Sequence, residues 1–150
     1  MKHVHIAFAI AIMLFIATDS WSQINQKDRD SLKTGLWVKK DSDNEFKYET
    51  YYKKGLKNGL EKVYYRNCQL MALLTFEKGR LVGTGSFFDE VGHLSFTVKY
   101  QGVVQTKQGK MIKGYYTIYK HSGEKASEGY GLSESGNEYE MEEIGKWKHY

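Results

Sequence analysis

Short stretches that combine aromatic and β-branched residues with polar ones recur along most of the chain. Three examples are LEKVYY at residues 60–65, TGSFF at 84–88 and YYTIYK at 115–120. Glycine, asparagine, aspartate or serine bounds each stretch, which is typical of β-strands separated by turns. The segments RNCQL, EVGHL and HSGEK, at residues 66–70, 90–94 and 121–125, therefore predict tight turns. Helix is expected only in the N-terminal leader and as one turn in residues 25–33.

The chain contains an internal repeat with a period of 24 residues, which superposes residues 51–70 on residues 75–94. A unit of this length holds two short strands and two turns, and it buries a face only by stacking on its neighbours. The predicted fold class is all-β: an elongated antiparallel meander of stacked β-hairpin repeats in a single sheet of about nine or ten strands. The matched pairs are Tyr52 and Phe76, Lys54 and Lys78, Gly55 and Gly79, Gly59 and Gly83, Tyr64 and Phe88, and Leu70 and Leu94.

The same frame extends to Gly35 on one side and to Gly114 and Gly145 on the other, with longer intervals of 31 residues after Gly83. We expect the additional residues in loops near residues 103–111 and 131–139. Glycine tolerates the positive φ of tight turns. The predicted structural turns are at Gly55, Gly59, Gly79, Gly83, Gly92, Gly114 and Gly123.

Cys68 is the only cysteine of the chain, which excludes an internal disulfide framework. The repeat aligns it with Gly92 and Gly123, so we expect Cys68 in a hairpin turn with its thiol in solvent. A buried cysteine that acts as a small hydrophobe is the alternative.

The N-terminus has the pattern of a secretory signal peptide. A lysine precedes an apolar run over residues 4–17, which is shorter than the ~20 residues that span a bilayer, and small residues follow. We expect a signal peptide over residues 1–22 with cleavage before Gln23, a polar leader over 23–34 and a β-repeat domain over 35–150. This predicts a secreted or periplasmic protein; a retained membrane anchor is the alternative.

The net charge of +4 does not indicate nucleic acid, because no arginine-rich stripe or reader motif accompanies it. The aromatic residues are the candidate binding groups, since a ladder of rings can stack on sugars or grip a peptide. Cross-strand packing within a sheet that lacks a covering layer is the alternative role. The candidate binding residues are Trp37, Tyr52, Tyr64, Phe88, Tyr116, Tyr119 and Trp147.

Motifs for catalysis and cofactor binding are missing from the sequence: it contains no nucleophile elbow, paired acid motif or phosphate loop. His93 and His121 lie in equivalent turns, but no cysteine or carboxylate shares their spacing, which favours solvated histidines over zinc ligands. The sequence therefore predicts a protein that is not an enzyme and that has no metal site and no cofactor. A small hydrolase with an unrecognised site is the remaining alternative.

The segments YKKGLKNG at residues 52–59 and FEKGRLVG at 76–83, with GLW at 35–37 and GKW at 145–147, resemble the MORN repeat. The resemblance is closest to the variant form found in bacterial secreted proteins and in YwqK-type antitoxin proteins. It implies an elongated β-sheet that serves as a scaffold for proteins or membrane lipids without catalysis. We therefore expect a protein-binding scaffold, with a glycan-binding module or an antitoxin-like immunity protein against an exported effector as alternatives. The sequence leaves membrane association open.

Overall fold

The computed structural model describes residues 24–41, 43, 46–134 and 137–150, with the side chains of 137–139 left out. Residues 1–22, the expected signal peptide, lie outside the described residues. None of the described residues forms a helix long and apolar enough to cross a membrane. All regular structure in the described part of the chain is β. The strands are β1 (Gln26–Lys27), β2 (Lys33–Lys40), β3 (Lys47–Lys53), β4 (Leu56–Tyr64), β5 (Leu70–Glu77), β6 (Arg80–Leu81), β7 (Thr84–Phe88), β8 (Leu94–Thr106), β9 (Gly109–Tyr119), β10 (Lys125–Glu134) and β11 (Asn137–His149).

The strands form one antiparallel sheet, and the predicted meander of hairpins is confirmed. The strands are neighbours in chain order from β1 to β11, with one exception. The short β6 pairs only with β5, and β7 follows β5 in the order of the sheet. Among the described strands, β1 and β11 stand at the two ends of this order. The first described strand begins at Gln26, inside the stretch expected to be a polar leader, and pairs with β2. The helical turn expected in residues 25–33 is not formed, because β1 pairs with β2 there.

Two kinds of turn alternate along the sheet and explain the repeat. Two-residue turns join β3 to β4 and β5 to β6, with positive φ at Lys54 and Gly55 and at Lys78 and Gly79. Positive φ at both central residues is the mark of a type I′ hairpin turn, whose twist matches that of the flanking strands. Glycine therefore recurs at the second central position of this turn.

The second kind of turn occupies residues 65–69, 89–93 and 120–124. In each, the fourth residue donates its N–H to the carbonyl of the first, and the first donates its N–H to the carbonyl of the fifth. The fourth residues are Cys68, Gly92 and Gly123, with φ of 68°, 94° and 84°. Cys68 is exposed, as the repeat frame predicted.

Gly59, Gly83 and Gly114 differ in position from the other predicted turn glycines. Gly59 has φ +112° inside β4, where the pairing with β3 is irregular, and Gly83 has φ +70° between β6 and β7. The prediction of a turn at Gly114 is wrong. Gly114 lies inside β9 and is needed for space, because a Cβ there would lie 2.4 Å from Cγ1 of Val98.

The additional residues of the longer repeats lie mostly in strands, and the expectation of loops is wrong for them. Residues 103–111 extend β8 and β9. The pairing of these strands continues from Val103 opposite Ile112 to Thr106 opposite Gly109. Residues 131–139 in the same way belong to the ends of β10 and β11, apart from residues 135 and 136, which lie outside the described residues. The insertions therefore lengthen two hairpins, which preserves backbone pairing.

The two faces of the sheet differ in burial, since successive residues of a strand point to opposite faces. We call the face that bears Val63, Ala72, Phe87, Val98 and Tyr116 the core face, because these residues are at most 7% exposed. Rings on this face lie across glycines of the neighbouring strand: a Cβ at Gly129 would lie 2.5 Å from the Trp147 ring, and one at Gly131 would lie 2.9 Å from the Tyr116 ring. The opposite face, which bears Tyr51, Leu60 and Tyr130, is called the open face.

Candidate functional site

The predicted aromatic ladder is divided between the two faces of the sheet. Register and alternation place Trp37, Tyr52, Tyr116 and Trp147 on the core face, and Tyr64, Phe88 and Tyr119 on the open face. These seven rings therefore do not form one continuous surface. Adjacent aromatic residues direct one ring to each face, as in Phe87 and Phe88.

Tyr116 is not available as a binding residue, because it is 1% exposed. Its hydroxyl donates to Oγ of Ser133 at 3.0 Å, and its ring packs across Gly131. Trp147 packs across Gly129 and donates its Nε1–H to the carbonyl of Tyr130 at 3.0 Å. Both residues serve cross-strand packing, which was the alternative role considered for the ladder.

Trp37 and Tyr52 line an open cleft of about 390 Å³ at the N-terminal end of the core face. Their ring centroids are 6.1 Å apart at an interplanar angle of 65°, and Nζ of Lys33 lies 4.5 Å from the Trp37 centroid and 4.7 Å from that of Tyr52. The Trp37 ring is held by its Nε1–H, which donates to the carbonyl of Gln26 at 2.9 Å. Burial, and then the charge of Glu61, raise the pKa of Tyr52.

Glu61 forms the polar part of this cleft and was not identified from the sequence. It is 4% exposed, accepts a hydrogen bond from Oγ1 of Thr50 at 2.6 Å, and pairs with Nζ of Lys57 at 2.6 Å. The sequence did contain a signal for it: Glu61 lies two residues before Val63 in β4, so strand alternation places this carboxylate on the same buried face. A buried charge needs partners, and Thr50 and Lys57 supply them.

The open face carries large side chains that water can reach. Tyr51 is 47% exposed, Leu60 43% and Tyr130 41%. The rings of Tyr115 and Tyr130 form a T-shaped pair with centroids 5.1 Å apart, and Nζ of Lys113 lies 5.1 Å from the Tyr130 centroid. Apolar and charged groups thus alternate over this face.

An ion pair with a tyrosine partner also lies on the open face. Glu49 accepts hydrogen bonds from Nζ of Lys47 and from the hydroxyl of Tyr64, the latter at 3.2 Å. The hydrogen bond from Lys47 is the main cause of the lowered pKa of Glu49, against which partial burial acts. Burial and the charge of Glu49 raise the pKa of Tyr64.

The structure also joins His93 and His121 to a carboxylate that sequence reasoning missed. Asp89 opens the turn at residues 89–93, four residues before His93, which is not the 28-residue spacing of the two histidines. Oδ2 of Asp89 lies 3.2 Å from Nδ1 of His93 and 3.4 Å from Nε2 of His121. Asp89 and His93 are the first and fifth residues of one turn, and the pairing of β8 with β9 brings His121 of the neighbouring turn beside them.

In comparisons with known proteins, no family model matches the chain, and neither a curated protein nor a solved structure matches it.

Proposed function

We propose that the chain is a non-catalytic β-repeat scaffold, secreted or periplasmic, whose open face binds another protein. The observation that carries the proposal is the exposure of Tyr51, Leu60 and Tyr130 on that face. Aromatic residues are enriched in the buried centres of protein interfaces, where they supply large contact areas at low entropic cost. The resemblance of the repeat units to MORN repeats supports the same proposal.

The shape of the sheet supports a protein ligand rather than a small molecule. Small-molecule sites are clefts or cavities that bury most of the ligand, whereas the cleft at Trp37 and Tyr52 is open to solvent. An extended face with scattered rings and charges offers many weak contacts, which suits a partner of comparable size. If the partner is an exported toxin, the same binding would give immunity.

The test uses a photo-crosslinking amino acid introduced at single positions of the full chain. We expect substitution at Leu60 or Tyr130 to crosslink one and the same protein in the source cells. Val91, which is 69% exposed in a turn, is the matched control for exposure. Crosslinking of an identical set of proteins from Val91, or of none from Leu60 and Tyr130, would contradict the proposal.

A glycan is the second candidate ligand, and the cleft at Trp37 and Tyr52 favours it. The rings of Trp37 and Tyr52 offer a stacking surface, and the buried carboxylate of Glu61 and the lysines that line the cleft offer hydrogen-bonding groups. Titration with a panel of oligosaccharides should then quench tryptophan fluorescence. Trp37→Phe should abolish the quenching and Trp147→Phe should preserve it, because Trp147 packs on Gly129 away from the cleft.

A further inference from the structure

Two neighbouring turns bring three metal-ligating side chains together at one end of the strands β7 to β10. Asp89 and His93 belong to the turn between β7 and β8, and His121 belongs to the turn between β9 and β10. The pairing of Phe96 in β8 with Ile118 in β9 places these two turns side by side. One ligand atom from each of the three side chains lies within 4.8 Å of the other two.

The Asp89 carboxylate is oriented by the backbone of its own turn. Oδ1 accepts N–H groups from Val91 at 3.1 Å and from His93 at 2.8 Å. This leaves Oδ2 directed at Nδ1 of His93 and Nε2 of His121. This fixed orientation presents Oδ2 to the two imidazoles as a metal ligand.

The distances agree with tetrahedral coordination. Zinc binds nitrogen and oxygen ligands at about 2.0–2.1 Å, so adjacent ligand atoms of a tetrahedron are about 3.3 Å apart. The two distances from Oδ2 of Asp89, 3.2 Å and 3.4 Å, match that edge. The third edge joins the two imidazole nitrogens, which lie within 4.8 Å. The His121 side chain is 83% exposed, so it can rotate to close this edge.

We propose that Asp89, His93 and His121 bind one divalent late transition metal ion, with Zn²⁺ as the reference ion. Imidazole suits zinc, copper and nickel, and a set of two histidines and one carboxylate leaves a coordination position for water. The ion would join the β7–β8 hairpin to the β9–β10 hairpin. Because the ligands converge only in the folded chain, the ion stabilises the folded state.

The test measures Zn²⁺ binding by calorimetry to the full chain without an affinity tag. The chain has five histidines, so the reference variant carries His3→Ala, His5→Ala and His149→Ala and retains only the proposed pair. We expect one Zn²⁺ per chain in this background and a higher melting temperature with Zn²⁺. Nitrogen chemical shifts of the two imidazoles should change on the same titration.

Single substitutions in that background then assign the ligands. His121→Ala and Asp89→Asn should each weaken binding by at least about tenfold. Asp89→Asn keeps an oxygen that can accept the two N–H groups, and the exposure of His121 makes its replacement harmless to the fold. Glu90→Gln, an exposed acid of the same turn, should leave the affinity unchanged. The proposal is wrong if the reference variant shows no saturable binding, or if His121→Ala leaves the affinity intact.

Discussion

At the scale of single residues, the space above Gly114 is already filled by the side chain of Val98. A Cβ at this position would lie 2.4 Å from Cγ1 of Val98, which is itself 0% exposed. We therefore expect Gly114→Ala to destabilise the protein by about 1–3 kcal/mol through overpacking, measured by denaturant unfolding. Val98→Ala in the same chain should relieve the contact, so the double variant should lose less than the sum of the single losses. Additive losses would show that Val98 is not the obstacle.

Cys68 occupies a turn position that glycine fills in the two equivalent turns. Its φ of 68° is unfavourable for a residue with a Cβ. We expect Cys68→Gly to leave stability unchanged or to raise it by up to about 1 kcal/mol. The relief of backbone strain at this position offsets the greater conformational entropy that glycine gives to the unfolded chain. The native thiol should react rapidly with a bulky reagent, because it is exposed.

The reverse substitution at Gly92 is the control for Cys68. Gly92 has φ +94° in the same turn position, and a Cβ there meets no atom closer than 3.6 Å. Gly92→Cys should therefore destabilise the protein through backbone strain alone. A thiol at Cys68 that reacts only after denaturation would contradict the placement of this turn.

At the scale of turns, the two-residue hairpin between β3 and β4 has lysine where asparagine is the preferred residue. Lys54 has φ +51°, and asparagine adopts this region at lower cost. We expect Lys54→Asn to stabilise the protein by up to about 1 kcal/mol in thermal or denaturant unfolding. Lys53→Asn, one residue earlier in β3, should be neutral or destabilising, because asparagine is unfavourable in strands. Equal effects at both positions would indicate a change in surface charge alone.

At the scale of paired strands, the group formed by Lys47, Glu49 and Tyr64 gives a pH-dependent contribution to stability. The hydrogen bond from Lys47 lowers the pKa of Glu49 from its ordinary value of 4.5. A lowered pKa in the folded state means that the stabilisation is fully present above about pH 4.5 and is lost as the pH falls through the folded value.

We expect Glu49→Gln to reduce stability at neutral pH and to have little effect below the folded pKa of Glu49. Unfolding curves measured from pH 7 down to pH 3 would show the two proteins converging. Glu77→Gln, at an exposed position at the end of β5, is the reference for the loss of one negative charge. A constant difference between Glu49→Gln and the parent over this range would contradict the prediction.

For the molecule as a whole, stability should depend on one face of the sheet much more than on the other. Phe87 on the core face is 2% exposed and stacks on Phe96 with centroids 4.5 Å apart, whereas Phe88 on the open face is half-buried. We expect Phe87→Ala to cost about 3–5 kcal/mol and Phe88→Ala less than half of that. Phe87→Leu keeps the comparison measurable if the alanine variant does not fold. Similar losses at both positions would contradict the assignment of the faces.

Much of the architecture was predictable, because the repeated residues mark strands and turns whose conformation depends on residues close by in the chain. The glycine that follows Lys54, and again Lys78, is typical of a two-residue hairpin turn. The five-residue turns recur with glycine or cysteine at their fourth position. Local rules do not distinguish a glycine that bends the chain from one that leaves room for a neighbour. Gly114 was placed in a turn for that reason, although the Val98 side chain determines its role.

The binding residues and the metal-ligating cluster were less predictable, because each depends on which strands are neighbours. Tyr116 and Tyr119 look alike in the sequence, but only Tyr116 has glycines of β10 beside it and becomes buried. The Glu61 cleft and the group of Asp89, His93 and His121 combine residues from different strands or turns.

By itself, the sequence determined the all-β class, the hairpin period and the positions of most turns, because strand alternation and turn conformation depend on residues within about five positions of one another. The tertiary structure alone decided which face is buried, which rings are covered and which polar groups meet. These properties depend on the register between strands, in which a shift of one residue moves every side chain to the other face. The metal-ligating cluster shows the difference: His93 and His121 are 28 residues apart in the chain but contact the same oxygen of Asp89.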